Sequence, residues 1–307
     1  MKRIGFLLLL SVTLSFLTAC EHTDPAAEST VNELTFSADD FILLDDVPQT
    51  KTGIVDNTTF VWSQNDTVGI YPNTGSQVFF EMTSGAGASN AEFDGGGWAF
   101  KASSVYYSYY PFIGDIYLDR NHIPVVFTGQ KQPSTTSTAH IGPYDYMYTD
   151  PTSSVDGGDL HFTYHHLCCI IRPNVTLPAG TWTKLAVTAP SKVFALEGYY
   201  DLMAEQPVII PTKTSSQIQI DLENIILTEE TTFKIFIMSA PVSLKDVEIT
   251  VSVRNSQGQE YQCKKTPTRN YPAGSIGGLT CNTWTEAPMS LIIDDWEDGG
   301  TISGTAE

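Results

Sequence analysis

Short runs of alternating apolar and polar residues recur along most of the chain, separated by Gly, Pro, Asn and Asp. A period of two places every second side chain on the same face of a strand, so each run predicts a strand with one buried face. In the clearest run, Val247–Val253, the odd-numbered residues are predicted to face a core, whereas Glu248 and Thr250 face solvent. No segment of twelve or more residues keeps an apolar stripe of helical spacing. The sequence therefore predicts an all-β protein built from sandwiches.

Two further segments complete the strand prediction. Ala86–Gly97 is rich in glycine and is predicted to be a loop, whereas Leu160–Arg172 is predicted to be one long strand. The other predicted strands are short: Leu34–Ala38, Phe60–Trp62, Thr67–Tyr71, Val78–Met82, Trp98–Phe100, Val105–Phe112, Lys184–Thr188, Ile218–Leu222 and Phe233–Met238.

The first twenty residues predict the destination of the chain. Met1-Lys2-Arg3 is positively charged, and Ile4–Ala19 is uncharged but shorter than the roughly 20 apolar residues that cross a bilayer as a helix. This is the layout of a cleaved signal peptide over residues 1–19. Leu17-Thr18-Ala19-Cys20 is similar to a bacterial lipobox, so Cys20 is the predicted attachment site of palmitate or a similar acyl chain. An ordinary signal peptide with a chance cysteine and an uncleaved anchor are the alternatives.

The rest of the chain is long enough for two domains. Residues 20–31 are polar and lack periodicity, so they are predicted to form a flexible tether behind the lipid. The remainder is close to the length at which one core stops growing. The strongest turn signal, Asp156-Gly157-Gly158-Asp159, lies near its middle. The sequence thus predicts one β-sandwich domain over residues 32–158 and a second, with a C-terminal strand and tail, over residues 159–307.

The charge of the chain limits its partners. The formal net charge is −19, with 16 basic residues against 35 acidic ones. Nucleic-acid binding depends on Lys and Arg neutralising phosphates, and anionic lipid headgroups are repelled for the same reason. DNA, RNA and direct contact with a lipid surface are therefore disfavoured as partners.

One cluster suggests chemistry: His161, His165, His166, Cys168 and Cys169. On one continuous strand, residues four apart are separated by about 13 Å, whereas zinc holds its ligands at about 2.0–2.3 Å. Neither a metal site nor any cofactor is therefore predicted. The sequence also lacks Gly-x-Ser-x-Gly, His-Glu-x-x-His and a phosphate-binding glycine loop, so an enzyme is not expected.

The other cysteines have a structural interpretation. Adjacent Cys168 and Cys169 are predicted to be small buried residues. Cys263 and Cys281 could pair in an oxidising compartment, where the bridge would stabilise the fold by up to about 3 kcal/mol. The free and the paired state are both compatible with the sequence.

Four tyrosines crowd the predicted strand Val105–Phe112. Together with Trp98 they motivate an alternative function, a carbohydrate-binding surface lipoprotein of a glycan-uptake system. Because adjacent residues of a strand point to opposite faces, aromatic side chains packed in a core are the favoured interpretation.

Several motifs occur in a recognisable order. The run from Trp62 to Tyr71 reads Trp-x-x-x-Asp-x-Val-Gly-Ile-Tyr, and the others are Tyr109–Phe112, Asp145–Tyr148, Phe162–Ile171, Tyr271–Gly274 and Ile293–Trp296. Together they resemble the fimbrillin family of Bacteroidetes, the pilins and pilin-associated proteins of the type V pilus. One position departs from the family, whose Ala-Gly-x-x-Tyr ends here in Gly277, so the final strands could be arranged differently.

The resemblance implies two transthyretin-like β-sandwich domains and a lipidated precursor that reaches the outer membrane. There a protease removes the tether and the first strand, and a strand of another fimbrillin subunit fills the groove. Some family members stay lipidated as anchors, and others act at the pilus tip in cell adhesion. The sequence leaves open whether this chain is an anchor, shaft or tip subunit.

Lys51 is the only Lys or Arg between Arg3 and Lys101, which makes it the candidate processing site. Cleavage there would release the Leu34–Ala38 strand and free the pockets of its inward-facing residues. Ser290–Ile293 is apolar and β-prone, and is the candidate donor strand. The alternative is that Lys51 is an ordinary loop lysine and the first strand stays in place, as an anchor requires.

Overall fold

The computed structural model describes residues 34–44, 59–101, 104–115, 117–153 and 159–287. In these ranges the protein is all-β, as predicted, with one 3-10 turn at Gly142–Tyr144. No helix found there has the length and apolar character needed to cross a membrane. The strands are β1 (Leu34–Ala38), β2 (Ile42–Leu43), β3 (Thr67–Pro72), β4 (Val78–Ser84), β5 (Asn90–Asp94), β6 (Val105–Tyr110), β7 (Ile123–Val126), β8 (Met147–Thr149), β9 (Thr152–Ser153), β10 (Leu160–His166), β11 (Cys169–Leu177), β12 (Gly180–Thr188), β13 (Phe194–Tyr200), β14 (Ile210–Ser215), β15 (Gln217–Leu227), β16 (Thr231–Lys234), β17 (Ile237–Ser239), β18 (Ile249–Asn255), β19 (Glu260–Lys265), β20 (Ser275–Cys281) and β21 (Thr285–Glu286).

The first sheet closes on itself. Its strand order is β3-β4-β5-β1-β10-β8-β6-β9, and β6 also pairs with β3. β1 lies inside this sheet, parallel to β10 and antiparallel to β5. The inward side chains form the aromatic core, whose central members are Phe36, Trp62, Phe80, Phe93 and Phe162.

Three smaller sheets surround a second, larger core. Their strand orders are β16-β11-β20-β2, with β17 also on β11, then β15-β12-β18-β19-β21, and β14-β13-β7. The larger core includes Ile171, Leu185, Phe194 and Val251. The predicted domain boundary stays a prediction, because residues 154–158 lie outside the described ranges. β10, which follows it, pairs with β1 and β8, which precede it.

Two predicted strands are wrong for a common reason. Phe60–Trp62 and Trp98–Phe100 lie outside the strands, although Phe60, Trp62 and Phe100 are buried. Their rings fill the aromatic core from loops. One of these loops is held by the Trp62 backbone N–H, which donates to the Ala88 carbonyl. The predicted loop Ala86–Gly97 is wrong in part, since it contains β5. Aromatic residues were therefore a good guide to burial and a poor guide to strands.

The predicted long strand Leu160–Arg172 is broken at Leu167 and Cys168. Here the chain leaves the first sheet, where β10 lies, and enters a sheet of the larger core with β11. The backbone groups at the break are still paired, since the Leu167 N–H donates to the Tyr146 carbonyl and the Gly274 N–H donates to the Cys168 carbonyl. Both sides of this segment are buried, so its apolar pattern did not reveal the break.

At position 277 this chain has glycine where the family motif has tyrosine, and the reason is steric. A Cβ atom built at this position would lie 2.1 Å from Cε1 of the Tyr271 ring. Tyr271 is itself buried and already fills that space. β20 nevertheless forms a regular strand that runs parallel to β11 from Ile276 to Cys281.

The clearest predicted alternation is confirmed over most of its length. Ile249, Val251 and Val253 are buried, and Glu248 is exposed, but Thr250 is half-buried and Ser252 is buried as well. Val247 is only half-buried, because the strand begins at Ile249, after Asp246 adopts a positive φ of 61°.

We predict that Ile249→Ala lowers the free energy of unfolding by about 2–5 kcal/mol, since it opens a cavity in the larger core. Ile226→Ala is the matched control, because Ile226 is 72% exposed whereas Ile249 is 1% exposed and both lie in the same sheet. Urea unfolding followed by circular dichroism measures both variants. Equal destabilisation of the two would contradict the burial pattern.

Candidate functional site

The candidate site is the groove that β1 occupies in the first sheet. β1 pairs with β10 over five residues, from Leu34 opposite Leu160 to Ala38 opposite Tyr164. Its central side chain, Phe36, is fully buried, with its ring centroid 4.6 Å from that of Phe93 and 5.3 Å from that of Phe162. Leu34 and Ala38 are half-buried and pack against the aromatic core. The predicted inward face of this strand is therefore confirmed.

Two histidines of β10 contact the outward face of this segment. His161 lies between two hydroxyls, with Nδ1 2.5 Å from Thr35 Oγ1 and Nε2 3.1 Å from Ser37 Oγ. His165 follows one strand repeat later, and its Nδ1 lies 2.6 Å from Asp39 Oδ2. The partners of both histidines belong to β1 and to Asp39, the residue after it, so the histidines contact the polar side of the strand.

His166 points the other way and is buried. Its Nδ1 lies 2.9 Å from Asp145 Oδ1, and its Nε2 lies 2.8 Å from the carbonyl oxygen of Asp39. A carboxylate and a carbonyl are both acceptors, so each ring nitrogen donates and the ring is an imidazolium. Burial lowers the pKa of His166, but the charge and hydrogen bond of Asp145 and the Asp39 carbonyl outweigh it and raise the pKa above its ordinary value.

Aromatic rings enclose the same imidazolium. Phe41 stacks on it with a centroid separation of 3.8 Å, and Phe60 meets it edge-on at 5.8 Å. The Phe60 N–H in turn donates to Asp40 Oδ1 at 3.0 Å. Residues 39–41 are thus fixed by an ion pair, a ring stack and backbone hydrogen bonds.

The segment then continues into a second sheet. Ile42 and Leu43 form β2, which pairs in parallel with Ser275 and Ile276 of β20. The Ile42 N–H donates to the Gly274 carbonyl, and the Leu44 N–H donates to the Ile276 carbonyl. Residues 34–44 therefore belong both to the sheet around the aromatic core and to a sheet of the larger core.

These contacts give the five-residue cluster a function that the sequence did not reveal. The three histidines bind β1 and its extension, and the buried Cys168 and Cys169 thiols donate to backbone carbonyls. Among the described residues, no group of three or more His, Cys, Asp or Glu is arranged to hold a metal ion. In the sequence, only the alternation of Leu34–Ala38 predicted a strand at this site. No pattern near these residues predicted that β10 would pair with them.

The tyrosine-rich strand is part of the core, as predicted. Tyr106, Tyr109 and Tyr110 are buried and Tyr107 is half-buried. Tyr106 and Tyr110 face the aromatic core, while Tyr109 and Tyr107 face the larger one. The three buried rings are therefore unavailable as a platform for sugars.

Three predicted site elements lie outside the described residues: the lipidation site Cys20, the processing site Lys51 and the donor segment Ser290–Ile293. The fourth, Cys263 with Cys281, is described. Both thiols are free and buried, and their side chains hydrogen-bond to each other. Burial, followed by the charge and hydrogen bond of Cys263, raises the pKa of Cys281. The two cysteines join β19 to β20, which belong to different sheets.

The comparisons with known proteins agree with this fold. No protein-family model and no curated protein matches the sequence. Among solved structures, the chain matches a candidate cell adhesion protein from Bacteroides ovatus with a TM-score of 0.52 and 14% identity, over 87% of this chain and 100% of that one. A second, from Bacteroides uniformis, has a TM-score of 0.51 and 14% identity, over 74% of this chain and 92% of that one.

A weaker match is the tip fimbrial protein from Porphyromonas gingivalis, with a TM-score of 0.33 and 11% identity, over 66% of this chain and 76% of that one. The chain thus shares the all-β fold of candidate cell adhesion proteins from Bacteroides. This shared fold is consistent with the resemblance to the fimbrillin family that the sequence motifs showed.

We predict that Cys263 and Cys281 form a disulfide in an oxidising compartment, by exchange with an oxidised dithiol catalyst. Alkylation of the denatured protein should then label Cys168 and Cys169 at once and the other pair only after reduction. Cys281→Ser is the control, since it should leave Cys263 open to direct alkylation. Labelling of all four cysteines without reductant would contradict the prediction.

The raised pKa of His166 makes stability depend on pH. Because the folded pKa lies above the ordinary value of about 6.5, the ion pair contributes fully below that pH and is lost as pH rises through the folded pKa. The stability advantage of the wild type over His166→Gln should therefore be largest below about pH 6.5 and shrink at higher pH. Urea unfolding of both proteins across this range measures it. An advantage that grows with pH would contradict the assignment.

Proposed function

We propose that the chain is a fimbrillin-like surface lipoprotein and a subunit of a type V pilus that assembles by strand exchange. The observation that carries this proposal is the location of β1, an N-terminal strand inserted between β5 and β10 inside an otherwise continuous sheet. The fold shared with candidate cell adhesion proteins supports a role in adhesion at the cell surface. The proposal includes two transthyretin-like domains around the two cores and assigns the chain no catalysis.

β1 has the properties of an exchangeable strand. Its departure would leave unpaired N–H and C=O groups on β5 and on β10, together with the pocket of Phe36. Such an edge binds an extended segment through backbone hydrogen bonds, and the pockets select alternate side chains. A strand of another subunit can therefore restore the sheet.

The N-terminal sequence contains the predicted lipidation site and the predicted cleavage site. A lipid on Cys20 would hold the precursor in the outer membrane until cleavage at Lys51. Because residues 34–43 form both β1 and β2, that cut would detach strands from two sheets at once. An anchor subunit would instead keep Lys51 uncut and β1 in place.

The proposal predicts that wild-type surface protein gives a ladder of polymers on a gel run without boiling, and that Lys51→Ala cells lack this ladder. Lys101→Ala is the matched control, because Lys101 is the next basic residue and should leave the ladder unchanged. A ladder that persists unaltered in Lys51→Ala would exclude cleavage there as the trigger. If cleavage occurs at Lys51, N-terminal sequencing of the wild-type polymer should give Thr52 as the first residue.

A second candidate function, carbohydrate binding, is favoured by a polar groove of about 290 Å³ on the outer face of the sheet β15-β12-β18-β19-β21. The register aligns Gln219, Ala186, Ser252 and Gln262 in one row across four strands. Ala186 and Ser252 are small and buried, whereas Gln219 is exposed and Gln262 is half-buried. Amides and hydroxyls of this kind hydrogen-bond to sugar hydroxyls.

A glycan array with the purified protein separates the two functions. Carbohydrate binding predicts that neutral glycans are retained by the wild type and lost in Gln262→Ala, while Ile226→Ala, on the edge strand β15, binds as the wild type does. A protein that retains no glycan would contradict this second function and leave the pilus subunit standing.

A further inference from the structure

A row of four charged residues crosses the polar groove on the sheet β15-β12-β18-β19-β21. The register places Lys184 between Asp221 and Arg254, and it places Arg254 between Lys184 and Glu260. Residues in register on neighbouring strands point to the same face of a sheet, so all four lie on the face of the groove. Lys184, Arg254 and Glu260 line the groove itself. The row therefore has two cations at its centre and an acid at each end.

The two cations repel each other, because like charges directly opposite on paired strands destabilise a sheet. Arg254 is partly neutralised, since its Nη2 donates to Glu260 Oε2 at 3.2 Å. Both side chains of this pair are half-buried, at 28% and 22% exposed. A guanidinium has five N–H donors, so the bond to Glu260 leaves most of them for another acceptor.

Lys184 has no such partner. Its side chain is half-buried, and it forms no ion pair with any residue that the structure describes. Asp221, its neighbour in the row, accepts the backbone N–H of Glu223 at 2.8 Å. A carboxylate placed between Lys184 and Arg254 accepts a charge-assisted hydrogen bond from each and offsets their repulsion. The centre of the row is therefore suited to one anionic group.

The lining of the groove is uncharged beyond this row. The next row holds the small residues Ala186 and Ser252 between two glutamines, and the row after it includes Thr188 and Thr250. Successive rows on one face are two residues apart, or about 6.6 Å. The groove thus offers one charged position at Lys184 and Arg254, followed by space over short side chains and then by hydroxyls.

We propose that the groove binds a glycan with a single carboxylate on a terminal sugar, held between Lys184 and Arg254. The inference rests on carbohydrate binding, the second candidate function, and deepens it by naming the chemical class of the glycan. The C6 carboxylate of a uronic acid is such a group. The ring of that sugar lies over Ala186 and Ser252, and the neutral remainder of the glycan extends towards Thr188 and Thr250.

The charge of the protein favours one carboxylate over a polyanion. The formal net charge is −19, and Asp221 and Glu260 flank the two cations. At about 0.1 M salt, exposed charges more than about 10 Å apart are largely screened, so a carboxylate at the centre of the row interacts mainly with Lys184 and Arg254. A second carboxylate further along the row meets an acid instead.

The test uses the full chain and pairs of oligosaccharides that differ only in charge. Each pair is a neutral trisaccharide and the same trisaccharide with one terminal sugar oxidised at C6 to a carboxylate, and an array contains such pairs built from glucose, galactose and mannose. A peptide with one glutamate among serines and glycines is the probe without a sugar. Affinities for the pairs retained on the array are measured by isothermal titration calorimetry.

Three variants are compared with the wild type. Lys184→Gln removes the unpaired cation, and Lys184→Arg keeps the charge. Lys264→Gln is the matched control, because Lys264 lies two rows away on the same face, is paired with Glu248 at 2.8 Å and does not line the groove.

The wild type should bind the acidic member of a retained pair about tenfold more tightly than the neutral member, since the carboxylate adds hydrogen bonds between charged groups. Lys184→Gln should reduce this preference to about twofold or less. It should leave the affinity for the neutral member within about twofold, which also shows that the variant is folded. Lys184→Arg and Lys264→Gln should keep the preference. Equal losses in Lys184→Gln and Lys264→Gln would mean unspecific attraction and would overturn the site.

The remaining outcomes separate the inference from the function on which it rests. Equal affinity of the wild type for both members of every retained pair would overturn the carboxylate position and leave carbohydrate binding standing. A glutamate peptide that binds as tightly as the acidic trisaccharide would rule out a sugar as the class of ligand. Binding of no oligosaccharide would overturn the inference together with carbohydrate binding, without bearing on the pilus subunit.

Discussion

The pairing of β1 with β10 is the interaction on which the first sheet depends. The five residues of β1 fill the gap between β5 and β10. The remaining ladders connect β5 to β10 through β4, β3, β6 and β8, so β1 closes the sheet. Phe36 supplies the side chain at the centre, packed between Phe93 and Phe162. Full burial of such a ring contributes about 1.5–3 kcal/mol, and the hydrogen bonds to two neighbouring strands add to it. A short segment thereby completes both the sheet and the core.

The residues after β1 extend this dependence to the second core. Within five residues the chain passes from the ladder with β10, over the His166 imidazolium, to the ladder with β20. The buried His166–Asp145 pair stands at that junction and satisfies a backbone carbonyl of the passing segment. A buried ion pair that loses one partner is costly, so the junction favours one position of the segment. The two sheets therefore hold the same stretch of chain in a fixed register.

The sequence was most informative where one face of a strand meets solvent. The sequences Leu34–Ala38 and Ile249–Val253 alternate, and both are strands with the expected apolar side chains inside, although Ser252 is buried too. It was least informative where burial is two-sided or comes from loops, as in the break after His166 and the loop that carries Trp62. Periodicity also contains no information on which distant strands pair. The parallel partnership of residue 34 with residue 160, and hence the role of the three histidines, required the folded chain.

Closure of the first sheet has a consequence for the timing of assembly. While β1 is in place, neither β5 nor β10 offers a free edge that could template aggregation. Loss of β1 exposes two edges and an aromatic pocket simultaneously, and such surfaces associate indiscriminately. In the proposed assembly, the open form would therefore be either captured by a partner strand or lost to aggregates. In that assembly, cleavage would be a commitment step that is safe only where the next subunit is already present, and polymer growth would be confined to places where subunits are concentrated.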